Sequence, residues 1–283
     1  MRTRLILLLS FIGILHSPPA FCLPERIPPF EIPGDPEDSP LDLVQEMDAE
    51  SYQYALDHGA EITATQTGKG FTLWWAPENF DKEKGIVLVS LHGHAGWATR
   101  DFKVWHSKIK ERGYAFLAVQ WWYGRSMESF GYAKPRQIYP WIVDELEKRE
   151  ISRGRVIFHG FSMGSANSYA ITLLDRISET PYFGVSIANS GPFEADFPPN
   201  APIFSGEFGL KPLAGSRWIF YCSMKDESLQ DPCGKMEKSV PILEGAGAEI
   251  KMFIKDGKLG HGGFMQEENY MPALDKAEEM LRS

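Results

Sequence analysis

Short apolar segments alternate with longer amphipathic segments along most of this chain. From residue 86 onwards the apolar runs predict buried strands, and the segments between them repeat apolar residues at helical spacing. The predicted strands cover 86–91, 114–122, 155–159, 183–188, 218–222 and 249–254, and the predicted helices cover 100–112, 135–149, 165–171, 234–245 and 271–281. We therefore expect an α/β fold with a mostly parallel central sheet and helices on both faces.

The segment before residue 86 has a different pattern. Residues 61–67 and 71–75 flank a Gly-Lys-Gly turn, which predicts an antiparallel N-terminal hairpin. A Ser-Pro pair is typical of a helix N-terminus and here predicts a helix over 41–58. Together these patterns predict one globular domain over 41–283.

Two connections later in the chain could hold an inserted domain. The first covers 124–134, and the second covers 191–216 and is rich in proline and phenylalanine. Both are too short to form a large cap domain. We therefore predict that any site at the edge of the sheet is open to solvent.

The first 40 residues have the composition of targeting and linking segments. Residues 1–22 combine a basic start, an apolar run over 5–15 and small residues near the end, as in a secretory signal peptide. The run is too short for a membrane span, and a retained anchor or a lipid-modified Cys22 are the alternatives. Residues 23–40 contain six prolines and predict an extended acidic tether. The mature protein is expected to be secreted or periplasmic.

Charge restricts the classes of partner. The chain of 283 residues carries a net charge of −9 and has no basic run. Such a protein is poorly suited to nucleic acid or to anionic membranes, so we expect neither as a partner. The sequence leaves the oligomeric state open.

A possible catalytic serine lies between a predicted strand and a predicted helix. Residues 160–164 read Gly-Phe-Ser-Met-Gly, and glycines on both sides of Ser162 permit a sharp turn that projects the hydroxyl above the sheet. The pentapeptide alone is a weak signal in a chain with 26 glycines. Its position between strand and helix makes Ser162 the candidate nucleophile.

An activated serine needs a base, and the base needs an orienting acid. Of seven histidines only His261 follows Ser162, in a glycine-rich segment after the last predicted strand. Asp226 lies in the loop after the preceding predicted strand and is the expected acid. Glu227 and Asp231 in the same loop are the alternatives.

The cysteines outside the predicted signal peptide bracket this acid-bearing loop. Cys222 and Cys233 are expected to form a disulfide in an oxidising compartment, and two unrelated thiols are the alternative. A bond at this position would make the loop that carries Asp226 more rigid.

The tetrahedral intermediate of acyl transfer needs hydrogen-bond donors for its oxyanion. The Met163 amide, directly after the nucleophile, is the first expected donor. The second is the His94 amide, in the His-Gly-His-Ala-Gly segment after the strand at 86–91. We expect the His92 side chain to hold this loop, whereas the role of the His94 side chain stays open.

Several aromatic residues lie at or just after strand ends on the same side of the sheet. Trp97, Trp121 and Trp122 are candidates for lining a substrate pocket, and packing between sheet and helices is the alternative for each. Because neighbouring strand residues face opposite sides, at least one residue of 121–123 is expected to reach the cleft.

The order of these motifs resembles that of the α/β-hydrolase superfamily. The resemblance covers residue 61 to the C-terminus and rests on the His-Gly pair at 92–93, the serine turn at 160–164, Asp226 and His261. Arg-x-Arg-Val before the turn and Asn-Ser-Gly after the next strand resemble the esterase, feruloyl-esterase and polyhydroxybutyrate-depolymerase branch. Phe161 before the serine is unlike many lipases, and serine in place of cysteine is unlike dienelactone hydrolases.

This resemblance implies a secreted serine hydrolase that cleaves carboxylic esters. A small-molecule or polymer-borne ester is the expected substrate, and no metal or organic cofactor is implied. A serine peptidase or an acyltransferase could use the same residues. A non-catalytic binding protein on the same fold is the remaining alternative.

Overall fold

The computed structural model of the protein describes residues 39–282. The predicted signal peptide at 1–22 lies outside the described residues, as does the predicted tether at 23–40 except for its last two positions. No helix in the described part of the chain is long and apolar enough to cross a lipid bilayer.

An eight-stranded sheet forms the centre of the described chain. Its strands are β1 (Glu61–Ala64), β2 (Phe71–Trp75), β3 (Val87–Leu91), β4 (Ala115–Gln120), β5 (Val156–Phe161), β6 (Phe183–Asn189), β7 (Arg217–Ser223) and β8 (Glu249–Asp256). Their spatial order is β1-β2-β4-β3-β5-β6-β7-β8. β2 runs antiparallel to both neighbours, and every other pair is parallel. The predicted hairpin and mostly parallel sheet are confirmed.

The chain changes its direction of winding between β3 and β5. These strands pair directly, with Leu91 opposite Gly160, although β4 lies between them in sequence. Ligands of open α/β sheets bind outside the carboxyl ends of the strands at such a switch point. The loop at 92–96 and the turn at Ser162 both begin there.

Seven α-helices accompany the sheet in the described residues. They are α1 (Pro40–Met47), α2 (Ala49–Asp57), α3 (Ala98–Arg112), α4 (Pro135–Lys148), α5 (Met163–Ile177), α6 (Pro232–Gly245) and α7 (Glu267–Arg282). Both faces of the sheet are buried, as β7 illustrates. Ile219 and Tyr221 belong to one hydrophobic cluster, whereas Trp218 and Phe220 belong to another. Successive strand residues point to opposite faces, so each face has its own core.

The helix predicted over 41–58 is two helices, α1 and α2, and the single-helix prediction is wrong. Asp48 breaks it by leaving helical geometry, with φ −139° and ψ 39°. Its carboxylate accepts hydrogen bonds from Thr99 Oγ1 at 2.9 Å and from Arg100 Nη2 at 2.8 Å. The break therefore directs a buried carboxylate onto the first turn of α3, a tertiary contact that helical periodicity cannot predict.

No inserted domain covers the carboxyl edge of the sheet in the described residues, as predicted. The connection at 121–134 contains the 3₁₀ turn Ser129–Gly131, and the connection at 190–216 contains the 3₁₀ helix Pro198–Phe204. The last helix begins at Glu267, earlier than predicted, and contains Pro272.

His106 on α3 joins the N-terminal helices to the rest of the domain. It is 5% exposed, and its Nδ1 lies 3.0 Å from the Tyr54 hydroxyl on α2. Burial, assisted by neighbouring His58, lowers the pKa of His106 to about 4. In the unfolded chain the imidazole takes up a proton below about pH 6.5. Protonation therefore favours the unfolded chain between these pH values, and stability is lost as the pH falls.

We expect the His106→Gln variant to gain stability relative to the wild type as the pH is lowered from about 7 to about 5. Glutamine keeps an acceptor for Tyr54 but cannot titrate. Below about pH 6 the difference in unfolding free energy should change by about 1.4 kcal/mol per pH unit. Urea unfolding of both proteins across this range measures it. A difference that does not vary with pH would contradict a neutral, buried His106.

Candidate active site

Ser162 lies in a strained turn between β5 and α5. Its backbone has φ 54° and ψ −118°, a region that residues with a Cβ rarely adopt. The Ser162 amide donates to the Asn189 carbonyl oxygen at the end of β6, with N···O 2.8 Å. A Cβ at Gly164 would lie 2.2 Å from the Leu91 carbonyl oxygen. A Cβ at Gly160 would lie 2.6 Å from the Gly164 carbonyl oxygen. The turn therefore requires glycine on both sides of the serine.

Met163 is the first residue of α5, directly after the serine. The first amides of an α-helix have no intrahelical acceptor and lie at the positive end of the helix dipole. The structure thus places the expected first oxyanion donor at a helix N-terminus beside Ser162.

The loop after β3 packs against this turn. A Cβ at Gly93 would lie 3.2 Å from Ser162 Cβ, and His94 Nδ1 lies 3.4 Å from Met163 Sδ. His92 is buried, with its Nδ1 2.8 Å from the Gly93 carbonyl oxygen, and burial lowers its pKa to about 4. A neutral His92 therefore lies inside the loop, and the His94 side chain lies next to that of Met163.

The three tryptophans proposed for a pocket lie in the protein interior. Trp97, Trp121 and Trp122 are 3%, 1% and 4% exposed. Trp121 Nε1 donates to the His92 carbonyl oxygen at 3.1 Å, and the rings of Trp97 and Trp122 pack with centroids 5.1 Å apart. These indoles support the loops at the carboxyl edge, and their contact with a substrate stays a prediction.

Asp226 and His261 meet across the loops that follow β7 and β8. Asp226 Oδ2 lies 2.5 Å from His261 Nδ1. The imidazole ring also packs on Phe161, the residue before Ser162, with centroids 4.8 Å apart. A carboxylate on Nδ1 places the proton there and leaves Nε2 free to act as a base.

The Asp226 carboxylate is held in its ionised form. Its side chain is completely buried, whereas that of His261 is 27% exposed. Burial opposes ionisation, but hydrogen bonds from Ser228 and His261 outweigh it and hold the pKa of Asp226 below its ordinary value. Asp226 is therefore ionised at neutral pH and can stabilise a protonated imidazole.

The two alternative acids make other contacts. Glu227 is exposed, and Asp231 caps α6 by accepting from the Gly234 amide at 3.2 Å. The structure brings Asp226 to His261, which favours it over both. The Cys222 and Cys233 sulfur atoms, at the two ends of the same loop, lie at bonding distance, 1.97 Å.

Ser228 is a site residue that the sequence prediction missed. Its hydroxyl donates to Asp226 Oδ1 at 2.6 Å, and its amide donates to the same oxygen at 2.9 Å. The hydroxyl oxygen also lies 3.0 Å from His261 Nδ1. An Asp-x-Ser segment is typical of an Asx turn, but the contact of Ser228 with His261 is evident only in the tertiary structure.

Asp256 shapes the loop that carries the histidine, and it was also missed. It ends β8 and is 6% exposed. Its Oδ1 accepts from the amides of Lys258 at 2.7 Å and Leu259 at 3.2 Å. Its Oδ2 accepts from Tyr221 Oη at 2.9 Å and Asn269 Nδ2 at 2.8 Å. One carboxylate thus joins β7, the loop after β8, and α7.

A chain of buried polar groups passes beneath the serine turn. Asn189 Nδ2 lies 3.1 Å from His159 Nε2, His159 Nδ1 lies 3.3 Å from Ser90 Oγ, and Ser90 Oγ donates to Asp101 Oδ2 at 2.6 Å. Burial lowers the pKa of His159 to about 3 and raises that of Asp101 to about 7. The chain connects α3 to Asn189, the residue whose carbonyl accepts the Ser162 amide.

Several solved structures have the same fold as this chain. An esterase from Pyrobaculum calidifontis is 14% identical, with a TM-score of 0.60 over 88% of this chain and 95% of its own. A structure from a study of two Rhizomucor miehei esterases is 14% identical, with a TM-score of 0.58 over 85% and 89%. An acylaminoacyl peptidase from Pyrococcus horikoshii is 16% identical, with a TM-score of 0.55 over 78% of this chain and 41% of its own.

The chain therefore has the α/β-hydrolase fold, and the resemblance predicted from its motifs is confirmed at that level. The sequence itself matches no protein-family profile and no curated protein. At these identities the structural similarity shows the fold and not the activity. Placement in the feruloyl-esterase and depolymerase branch stays a prediction.

We expect Asp256→Ala to lower the free energy of unfolding by about 2–4 kcal/mol. The substitution leaves several buried donors without an acceptor, each of which costs about 1–3 kcal/mol unless the loop opens to water. Urea denaturation measures the loss. Asp231→Ala, which removes a single helix cap, is the control and should cost only about 1 kcal/mol. Equal losses for the two variants would contradict the central role of Asp256.

Proposed function

We propose that the protein is a secreted serine hydrolase that cleaves carboxylic esters through an acyl-enzyme intermediate. One observation carries the proposal. The strained turn of Ser162 lies at the switch point of an α/β-hydrolase sheet. Phe161, the residue before Ser162, contacts the His261 imidazole, which Asp226 orients. A serine hydroxyl, a free Nε2 and a buried carboxylate are the groups that acyl transfer requires.

In the acylation step, His261 Nε2 takes the proton of the Ser162 hydroxyl while Oγ attacks the carbonyl carbon of the ester. Negative charge develops on the former carbonyl oxygen, where the amides of Met163 and His94 donate hydrogen bonds. The ionised Asp226 stabilises the imidazolium. The C–O bond to the alcohol then breaks, and Nε2 returns its proton to the leaving oxygen.

Deacylation repeats these steps with water as the nucleophile. His261 Nε2 takes a proton from water, the hydroxide attacks the acyl carbon, and the bond to Ser162 Oγ breaks as Oγ recovers the proton. The products are a carboxylic acid, an alcohol and the free enzyme. These steps use only groups of the chain and water.

The proposed substrates are small-molecule or polymer-borne esters. The carboxyl edge of the sheet carries no inserted domain between residues 39 and 282, so a chain end of a polymer could reach the serine. The tether and signal peptide predicted from residues 1–40 support export, and the paired cysteines suit an oxidising compartment. A serine peptidase or an acyltransferase would use the same atoms and is separated from an esterase by experiment.

The wild-type protein should react with a fluorophosphonate probe at Ser162, and Ser162→Ala should not. The probe requires a serine activated by its base, so denatured wild type is a second negative control. Mass spectrometry of the labelled peptide locates the adduct. A folded wild type that takes up no probe would contradict the proposed activation of Ser162 and favour a binding protein.

The same preparation separates the alternatives within the serine hydrolases. We compare kcat/KM for matched acyl esters and acyl amides, with and without an added alcohol as acceptor. Preference for the ester with water as acceptor supports the proposal. Preference for the amide would indicate a peptidase, and accumulation of a new ester would indicate an acyltransferase.

Removing both cysteine sulfur atoms should make the loop that carries Asp226 less rigid. We propose that the mature protein contains the Cys222–Cys233 disulfide, whose chain-entropy contribution is up to about 3 kcal/mol. The Cys222→Ser/Cys233→Ser variant should be less stable by up to that amount and should hydrolyse esters several-fold more slowly. Urea denaturation and ester kinetics measure the two effects. Full stability and full activity together would overturn this role.

A further inference from the structure

The Tyr132 hydroxyl makes two hydrogen bonds to the loop that follows β3. It accepts from the Ala95 amide, with N···O 3.2 Å, and its oxygen lies 2.8 Å from His94 Nδ1. The hydroxyl has a single hydrogen, and the backbone amide can only donate. The hydroxyl can therefore donate to Nδ1 or accept from it, according to the tautomer of His94, while it accepts from the Ala95 amide in either case.

Tyr132 is itself held by several contacts. It is 3% exposed and forms an antiparallel bridge with Trp122. Its ring packs on Trp121, with centroids 5.0 Å apart, and is stacked on His94 with centroids 5.6 Å apart and planes 25° apart. Burial raises the pKa of Tyr132, so its hydroxyl keeps its proton at neutral pH. The tyrosine is a rigid donor and acceptor that reaches the loop from the connection after β4.

The loop needs such an external support at this point. Ala95 has φ 49°, a left-handed backbone that costs of order 1 kcal/mol or more for a residue with a Cβ. The Tyr132 hydroxyl oxygen accepts a hydrogen bond from the Ala95 amide and so holds the strained residue in place. The Ala95 amide shares a peptide unit with the His94 carbonyl. The proposed oxyanion donor, the His94 amide, belongs to the preceding peptide unit.

We propose that Tyr132 is the positioning residue of the oxyanion loop. Through its contacts with the Ala95 amide and the His94 ring, its hydroxyl holds the His94 amide in the direction that the oxyanion requires. This inference rests on the proposed function, since an oxyanion forms only if Ser162 attacks a carbonyl. It assigns to the connection after β4 a role in acyl transfer.

The test is the Tyr132→Phe variant, which keeps the ring contacts with Trp121 and His94 and removes only the hydroxyl. We expect kcat for a soluble ester to fall by about 10- to 100-fold, with KM changed by less than about threefold, because a misdirected donor affects the transition state more than the bound ester. The melting temperature should change by only a few degrees.

Tyr114→Phe is the matched control. Tyr114 lies directly before β4, at the opposite edge of the sheet from the loop at 92–96. It is 2% exposed, and its hydroxyl donates to Glu278 Oε1 on α7. Its loss should leave kcat within about twofold of the wild type. A decrease in kcat equal to that of Tyr132→Phe would overturn the proposal, because it would indicate a general effect of losing a buried hydroxyl.

A second readout reports on the oxyanion directly. A trifluoromethyl ketone forms a hemiketal with the serine and places a negative oxygen in the same site. Tyr132→Phe should weaken its affinity by the same factor as kcat/KM. An unchanged affinity beside a reduced kcat/KM would contradict an oxyanion role.

A double-mutant cycle with His94→Ala tests the route of the effect. If the hydroxyl acts partly through the His94 ring, its removal should reduce kcat less in the His94→Ala background than in the wild type. Strictly additive effects would overturn this route. Throughout, fluorophosphonate labelling of the wild type distinguishes the two failures: an unlabelled wild type refutes the proposed function, whereas a labelled wild type with a fully active Tyr132→Phe refutes only this inference.

Discussion

The strained, positive-φ backbone of Ser162 is the constraint on which the arrangement of this site depends. A strand that ended in ordinary geometry would direct the serine into the sheet or along it. Here the carbonyl of Asn189 accepts the Ser162 amide, and Gly164 allows α5 to begin directly against the carbonyl oxygen of Leu91. The strain of the turn is therefore offset by contacts from β3 and β6, the strands on either side of β5. Ser162 and Met163 both lie at the carboxyl end of β5 as a result.

The loops around this turn are held by side-chain hydrogen bonds and not by regular structure. Asp256 joins four donors from three elements, Ser228 fixes the carboxylate of Asp226, and the Tyr132 hydroxyl bonds the loop after β3. Asp256 and Tyr132 are buried, so their hydrogen bonds restrict the backbone more strongly than a surface contact would. Such supports give loops the precision that the proposed acyl transfer requires.

Local patterns were reliable where a single element decides the conformation. The parallel strands, the hairpin and the turn at Ser162 were predicted because buried strands and a glycine-flanked serine have strong sequence signals. The helix over 41–58 was not predicted correctly, because Asp48 breaks it to bond Thr99 and Arg100 more than 50 positions away. The tryptophans illustrate the same limit, since their position at strand ends does not reveal whether an indole faces a cleft or the core.

The sequence by itself determined the fold class, the candidate nucleophile and the candidate base, since only one histidine follows the serine turn. It left three acids open on one loop. Only the tertiary structure places one of them, Asp226, against His261, because their hydrogen bond joins residues on different loops. The contacts of Ser228 with His261, of Asp256 with Tyr221 and of Tyr132 with Ala95 likewise join segments that are distant in sequence. The hydrophobic periodicity of a segment predicts which of its residues are buried in the core. A site is formed by contacts between different segments, and no local sequence pattern predicts those contacts.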